Sequence, residues 1–588
     1  MKKKRRKIQR WRGITALFGS LLSIMLGITL LLSSFVREIN SFMGIASAEV
    51  VNLDGGSEED YLYYESAYDS IDEMMQAKSD LCEEITDEGI VLLKNNGVLP
   101  LEGVKKVTCL GRSSTDLVYA GASGAGIIGN VGTSINATLK DGLEDAGYEV
   151  NETMWDFYEE SGYTRSSGGS GGTEEYRLGE VPLDEYPDDR GYEEYGDACI
   201  VVFARNSGES NEAPVGDFED GSVYYQLTET EKAILEEAKA NFDKVIVLVN
   251  SPSALSIEEL RQDDRIDAVL TAGGLGMNGA RSFGKILSGQ VNPSGRLTDT
   301  YAVDSLSSPA LQNHGNYTFT NAEEIISASN NGNAEHNTNY LVQAEGIYTG
   351  YKYYETRYED CVLNQGNADS TAGAFASEDG WNYAEEVSYS LGYGLSYTEF
   401  SQELLSVEIR NDVICAQVQV TNTGDVAGKD VVQLYVQSPY TEYDRTYGVE
   451  KSAVQVVNFA KTDLLEPGES QTLTVKMDLY NICSYDTNGR ATWILDDGTY
   501  YFAIGQNAHD ALNHILAAKG LTMEDGMDAE GNADMVRAWE NEEFRTFENP
   551  QFSEEGFTTC AGTWHKETGT EITNQVQAGA LNTWIKDS

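Results

Sequence analysis

Histidine is scarce and cysteine follows no ligand spacing in this chain, with five histidines and seven cysteines in 588 residues. The cysteines (Cys82, Cys109, Cys199, Cys361, Cys415, Cys483 and Cys560) are scattered, odd in number and nowhere spaced C-x-x-C. With so few imidazoles beside them they make no zinc-type ligand set, and no metal is expected. Cys109, Cys199 and Cys415 stand in apolar, strand-like runs and read as small buried hydrophobes. Positive charge is the other shortage. Lys and Arg number 41 against 95 Asp and Glu, a formal charge of -54 with a pI near 4.3. Such a surface repels phosphate backbones and anionic lipid, which argues against nucleic acid as a partner. It suits solubility in a salty or acidic exterior. Hydrophobic residues at 40% and charged residues at 23% exclude wholesale disorder, so the chain can bury a core. At roughly 150 residues per domain its length allows about four domains.

Much of the basic charge gathers at the N-terminus, where Lys2 to Lys4, Arg5, Arg6, Lys7, Arg10 and Arg12 precede an uncharged run from Ile14 to Val36. A helix over 14–36 reaches about 35 Å, enough for a bilayer core of roughly 30 Å. Positive charge stays inside, so the remainder of the chain is expected outside the cytoplasm. Ala46-Ser47-Ala48 is an A-x-A cleavage site and keeps a signal peptide open as the alternative. Against cleavage, the apolar run exceeds a normal signal core, and Arg37 and Glu38 separate it from that site. Residues 1–48 thus read as a basic segment with an anchor or signal, and 49–79 as a linker.

Over 80–305 short apolar runs alternate with helical patterns. Val107–Gly111, Cys199–Ala204, Val245–Asn250 and Ala268–Ala272 read as buried parallel strands. Thr228-Glu229-Thr230-Glu231 is a capping box opening a helix between two of them. The pattern predicts an α/β sandwich with a mostly parallel sheet, whose ligand face lies at the carboxyl ends of the strands. The run Ser166 to Gly172 reads as a flexible inserted loop. The cluster Gly121 to Gly126 is separated from its strand by Arg112 to Ala120, which does not fit a dinucleotide fingerprint. It reads as a substrate-side loop, and no cofactor is expected.

From Ser406 to about Gly505 the hydrophobic period changes to two, as in Ala416 to Gly424, Val431 to Val436 and Gln471 to Val475. About seven such strands in roughly 100 residues fit an immunoglobulin-like sandwich. The segment His509 to Gly520 is helical in pattern and closed by glycine.

Four stretches carry a resemblance. Glu88-Gly89-Ile90-Val91-Leu92-Leu93-Lys94-Asn95-Asn96-Gly97-Val98-Leu99-Pro100-Leu101 looks like the opening of the second domain of family 3 glycoside hydrolases. Asn292 to Leu297 resembles that family's NPSGRL turn, Glu345 to Thr356 its EGIYVGYRYYDT segment, and Ser390 to Phe400 its FPFGYGLSYTxF segment. Their order along some 300 residues is more specific than any one of them. The resemblance implies an α/β sandwich over 80–305, a connecting segment over 306–400, a fibronectin-III-like domain over 401–506 and a connector over 507–588.

It also implies a site. The strand at Cys199 runs into Arg205-Asn206-Ser207-Gly208-Glu209-Ser210-Asn211, which is similar to the family's R-x-S-G-E-G-x-D-R loop. Arg205, Ser207, Gly208 and Glu209 match; Ser210 replaces a glycine, and Glu212-Ala213 replaces the Asp-Arg end. The match makes Glu209 the candidate general acid/base and Arg205, Ser207 and Gly208 its substrate-side loop. Retaining glycoside cleavage needs one acid to protonate the leaving oxygen and a second carboxylate about 5 Å away to attack the anomeric carbon. The family's nucleophilic aspartate stands in an S-D-W motif of a barrel domain. No Ser-Asp-Trp occurs in these residues, so no nucleophile is assigned. Some members carry their domains in permuted order, sandwich first and barrel last, and this chain resembles that order with the barrel missing. Two functions are expected of such a chain. One is cleavage of a small β-glycoside or oligosaccharide, the chain being a fragment or one piece of a split enzyme with a separate barrel polypeptide, and the other is non-catalytic sugar binding or scaffolding at the cell surface.

Overall fold

The structure, a computed structural model, describes residues 2–36, 67–120, 137–167, 175–207, 213–214, 218, 222–308, 310–311, 346–364 and 381–547. Helix α1 (Lys2–Ser34) includes a stretch, Trp11–Thr29, long and apolar enough to cross a membrane, and its side chains there are exposed. A signal sequence passes the same test.

The α/β domain opens with α2 (Ile71–Gly89), which extends into the stretch read as linker. Its sheet comprises β1 (Val91–Asn95), β2 (Lys106–Leu110), β3 (Glu149–Val150), β4 (Ala198–Ala204), β5 (Val245–Asn250) and β6 (Ala268–Ala272), in the order β1-β6-β5-β4-β2-β3. The pairings among β2 to β6 are parallel, and β1 runs antiparallel to β6. The sheet is therefore mixed. The four runs expected as parallel strands are β2, β4, β5 and β6. All seven residues of β4 are buried because both faces are covered. Ile200 and Val202 pack on one side with α3 (Leu139–Asp145), while Val201 and Phe203 pack on the other with Met154 and Tyr158 of α4 (Glu152–Glu160). Helix α5 (Glu229–Asn241) joins that second side, and α6 (Ala280–Leu287) joins the first. Each such aliphatic side chain contributes about 1.5–3 kcal/mol by leaving water. Helices α3 and α6 meet closely, since a Cβ on Gly142 would lie 2.6 Å from the Ala280 carbonyl oxygen.

The resembling motifs meet in space. The Leu395 N–H donates to the Leu92 carbonyl at 2.8 Å, the Leu297 N–H to Tyr393 at 2.9 Å, and the Gly392 N–H to Leu297 at 2.8 Å. Short strands β7 (Tyr301–Ala302) and β8 (Val387–Tyr389) pair nearby. Helix α7 (Tyr351–Leu363) buries Tyr353, Tyr354 and Tyr358. These tyrosines form a third core with α8 (Ala508–Ala518).

The C-terminal β-sandwich places β9 (Phe400–Arg410), β10 (Val413–Asn422) and β13 (Ser470–Asp478) in one sheet. The other holds β11 (Val431–Gln437), β12 (Gln455–Lys461), β16 (Gly498–Gly505) and β17 (Val536–Asn541). A small third sheet joins β14 (Ser484–Asp486), β15 (Thr492–Leu495) and β18 (Arg545–Phe547). The stretch read as a connector thus supplies α8, β17 and β18 to this body as far as Phe547. Cys109 and Cys199 are buried, whereas Cys415 is only half-buried. The period of two explains the correction: Ile414 and Ala416 face the core, and Cys415 between them faces the other way. Cys560 lies outside the described residues.

Candidate active site

The carboxyl ends of β2, β4, β5 and β6 form one rim. Asn250, the last residue of β5, fastens two of its loops. Its Oδ1 accepts the Val118 N–H at 2.6 Å, and its Nδ2 donates to the carbonyls of Gly273 at 2.7 Å and Ala272 at 3.3 Å. One buried amide thereby sets the loop after β2 against the loop after β6.

Leaving β2, the chain turns at Gly111, whose φ of +87° and 2.6 Å clearance between a would-be Cβ and the Val202 carbonyl leave no room for a side chain. The turn is held by the Glu180 carboxyl. Its Oε1 accepts the Ser113 hydroxyl at 2.6 Å and the Ser113 N–H at 3.2 Å, and its Oε2 accepts the Arg112 N–H at 2.6 Å. Burial pushes the Glu180 pKa up to about 7, against the downward pull of the Ser113 hydroxyl. Beyond the turn, Asp116 lies between two cations, Arg112 Nη1 at 2.5 Å and Arg165 Nη2 at 3.0 Å. Burial favours the neutral carboxyl there, yet the Arg165 and Arg112 guanidiniums outweigh it and hold Asp116 below the usual carboxylate range. Among the described residues, Arg165 Nη1 and Arg112 Nε are buried with no hydrogen-bond partner, as are Ser114 Oγ and Asn206 Oδ1. The loops after β2, α4 and β4 thus carry polar groups that the described residues leave unanswered.

Of the residues expected in the loop after β4, Arg205 turns inward. Its guanidinium is 1% exposed and pairs with Glu231 on α5, while Nε donates to the Tyr224 carbonyl at 2.6 Å and Nη2 to Gln226 at 2.6 Å. It is a support of the loop rather than part of a substrate-facing wall. The Asn206 N–H donates to the Tyr224 hydroxyl at 2.9 Å, which fixes the course of the chain as it leaves the strand. Ser207 follows, half-buried. Gly208 and Glu209 lie outside the described residues, as does the glycine cluster 121–126. Sequence reasoning had missed Glu180, Asp116, Arg165 and Tyr224 in this neighbourhood. Glu180, Arg165 and Tyr224 each lie far along the chain from the partner they serve; Asp116 has Arg112 four residues away, but only the fold brings Arg165 to it.

Two cavities flank the ends of β5 and β6, of about 570 and 300 Å³, and they share Pro252, Ser253, Ala254 and Asp299. Both have a size suited to a small polar ligand. Among the described residues no group of three or more His, Cys, Asp or Glu side chains is placed to hold a metal ion.

Comparison with known proteins adds the following. Residues 90–397 match the Glycosyl hydrolase family 3 C-terminal domain, and residues 430–508 match the Fibronectin type III-like domain. The chain is 30% identical over 479 residues to Beta-glucosidase A of Butyrivibrio fibrisolvens, covering 74% of this chain and 50% of that one. It is 30% identical over 436 residues to a beta-glucosidase of Ruminococcus albus, covering 73% and 39%. Among solved structures, a beta-glucosidase from Paenibacillus barengoltzii aligns with a TM-score of 0.55 at 28% identity, over 73% of this chain and 41% of the other. The chain spans at most half the length of these relatives.

Proposed function

Because this chain belongs to glycosyl hydrolase family 3, we propose that it serves the hydrolysis of terminal β-glycosidic bonds in small β-glucosides and supplies the acid/base side of the site. The observation that carries the reading is the loop after β4, which leaves the sheet at its carboxyl rim with Arg205 anchored to Glu231 and continues toward Glu209. In this reading Glu209 protonates the leaving oxygen and later deprotonates the water that releases the sugar, with Ser207 and Gly208 shaping its loop. Arg205 acts from beneath as an anchor. The nucleophilic carboxylate comes from polypeptide outside these residues, either a continuation or a separate barrel chain, since the relatives are about twice as long. The mechanism is retaining, with the anomeric carbon attacked by that carboxylate. α1 anchors the protein to the membrane with its bulk outside, or acts as a signal cleaved after Ala48.

The test is release of an aryl group from an aryl β-glucoside. The expected outcome is no turnover by the chain alone, turnover when a family barrel polypeptide is co-expressed, and loss of that turnover in Glu209→Gln. Turnover by the isolated chain that Glu209→Gln abolishes would overturn the division of labour. The two rim cavities, of a size for a small polar ligand, support a second reading, a non-catalytic cell-surface carbohydrate-binding or scaffold protein. Saturable glucoside binding without turnover under every pairing would support it.

A further inference from the structure

A third cavity lies in the β-sandwich, remote in sequence from the rim loops. It measures about 460 Å³ and is walled by Lys352 at the start of α7, Glu450, and the β14–β15 pair carrying Tyr485 and Trp493. Tyr485 and Trp493 are cross-strand neighbours with ring centroids 5.3 Å apart, edge to face. The polar groups of this wall are unusual. Among the described residues, neither Glu450 Oε1 nor Trp493 Nε1 finds a hydrogen-bond partner, and both atoms are buried. Burial depresses the pKa of the Lys352 ammonium, and no carboxylate among the described residues offsets it. Burial alone likewise raises Glu450, to about 7. Neither charge answers the other across the space.

The same wall contains an internal control. Lys451, the next residue after Glu450, is also buried, and the fold satisfies it fully: its Nζ donates to the Pro439 carbonyl at 2.8 Å, to Asp444 at 2.8 Å and to Asp496 at 2.5 Å. A lysine with only a packing role is thus given partners here. Two polar atoms on the wall of this cavity, Glu450 Oε1 and Trp493 Nε1, are not. A ligand that fits must accept from Lys352 and Trp493, exchange a hydrogen bond with Glu450, and present an apolar face to aromatic rings. Pyranose sugars combine these features, since each hydroxyl both donates and accepts while the ring carbons offer a C–H face. A net charge of -54 makes approach harder for an anionic ligand and leaves a neutral one unaffected. The volume suits one or two sugar units.

We propose that this cavity is an accessory binding site for a neutral mono- or disaccharide, held by Lys352, Glu450 and Trp493. It requires neither Glu209 nor turnover. The experiment titrates the full chain with glucose and with cellobiose by calorimetry, following tryptophan fluorescence in parallel, and repeats this with glycine as a zwitterionic probe. Saturable sugar binding is expected in wild type and in Glu209→Gln alike. Lys352→Gln and Glu450→Gln are each expected to weaken it about tenfold, the loss of one hydrogen bond to a charged group. Glu450→Gln is near-isosteric, Lys352→Gln removes the charge, and unchanged thermal unfolding of each separates lost binding from lost fold. The proposal is overturned if neither sugar binds, if glycine binds in their place, or if sugar binds with the same affinity in both variants.

Discussion

Arg205 and Glu231 form a two-pronged buried pair, Nη1 to Oε1 at 2.6 Å and Nη2 to Oε2 at 2.7 Å, with neither side chain more than 1% exposed. Glu231 also closes the capping box of α5, its Oε2 accepting the Thr228 N–H at 2.9 Å. One carboxylate therefore starts a helix and fixes the loop after β4. Removing one partner strands the other charge without solvent, so Arg205→Met and Glu231→Gln should each cost about 3–5 kcal/mol. Urea unfolding measures this. A loss below about 1 kcal/mol in both variants would mean that the pair does not hold the loop.

How far the sequence discloses this arrangement depends on the range of each interaction. β4 and β5 are legible because a strand covered on both faces is an unbroken apolar run, and α5 because its capping box is local. The inward turn of Arg205 is not legible, since its counter-ion stands 26 residues away and a motif records only neighbours along the chain. β17 is hidden for another reason. As an edge strand it buries only its end residues, Val536 and Asn541, so its composition reads as a charged connector. The meeting of the Glu88, Asn292 and Ser390 motifs explains why their order is informative: these segments are hydrogen-bonded to one another.

His509 on α8 provides a pH-dependent contact. Its Nδ1 lies 2.8 Å from Glu355 of α7, its Nε2 lies 2.9 Å from Asp528, and its ring stacks on Tyr383 with centroids 3.7 Å apart. Burial pushes its pKa down, but the Glu355 and Asp528 carboxylates outweigh this and raise it from 6.5 to about 9. The folded state thus binds the proton more tightly than the unfolded chain. Its stabilisation is complete below about 6.5 and is lost as pH rises through about 9, on the order of 3 kcal/mol in all. The difference in unfolding free energy between wild type and His509→Gln should shrink across that interval. A difference independent of pH from 6 to 10 would refute the charged pair.

The turn at Asn292–Leu297 is tied to the β-sandwich by Arg296, which donates from Nη2 to Asp430 Oδ1 at 2.9 Å and from Nη1 to the Gly394 carbonyl at 2.9 Å. Asp430 is 1% exposed and, among the described residues, keeps only neutral donors if the arginine is removed: Gln402 Nε2 and the Val431 N–H. Arg296→Ala should therefore cost about 3 kcal/mol, and the double variant with Asp430→Asn should recover part of it. Strictly additive losses in a thermal-unfolding cycle would show that the two residues act independently.

Asn250 offers the sharpest test of how the rim is built, because its two ends do opposite tasks. Oδ1 accepts from Val118, and Nδ2 points at the carbonyls of Ala272 and Gly273. Asn250→Ala removes both and should cost about 2–3 kcal/mol through backbone groups left unpaired. Asn250→Asp keeps the acceptor but sets a carboxylate oxygen against carbonyl oxygens, so near neutral pH it should be at least as damaging. Acid should reverse the order. Once the new carboxyl is protonated, it can donate to Gly273 and regain much of the lost contact, whereas alanine gains nothing at any pH. Melting temperatures of the two variants, each compared with wild type at neutral pH and at about pH 4.5, should therefore cross. If aspartate remains worse than alanine in acid, the amide nitrogen is not the group that holds the loop after β6 in place.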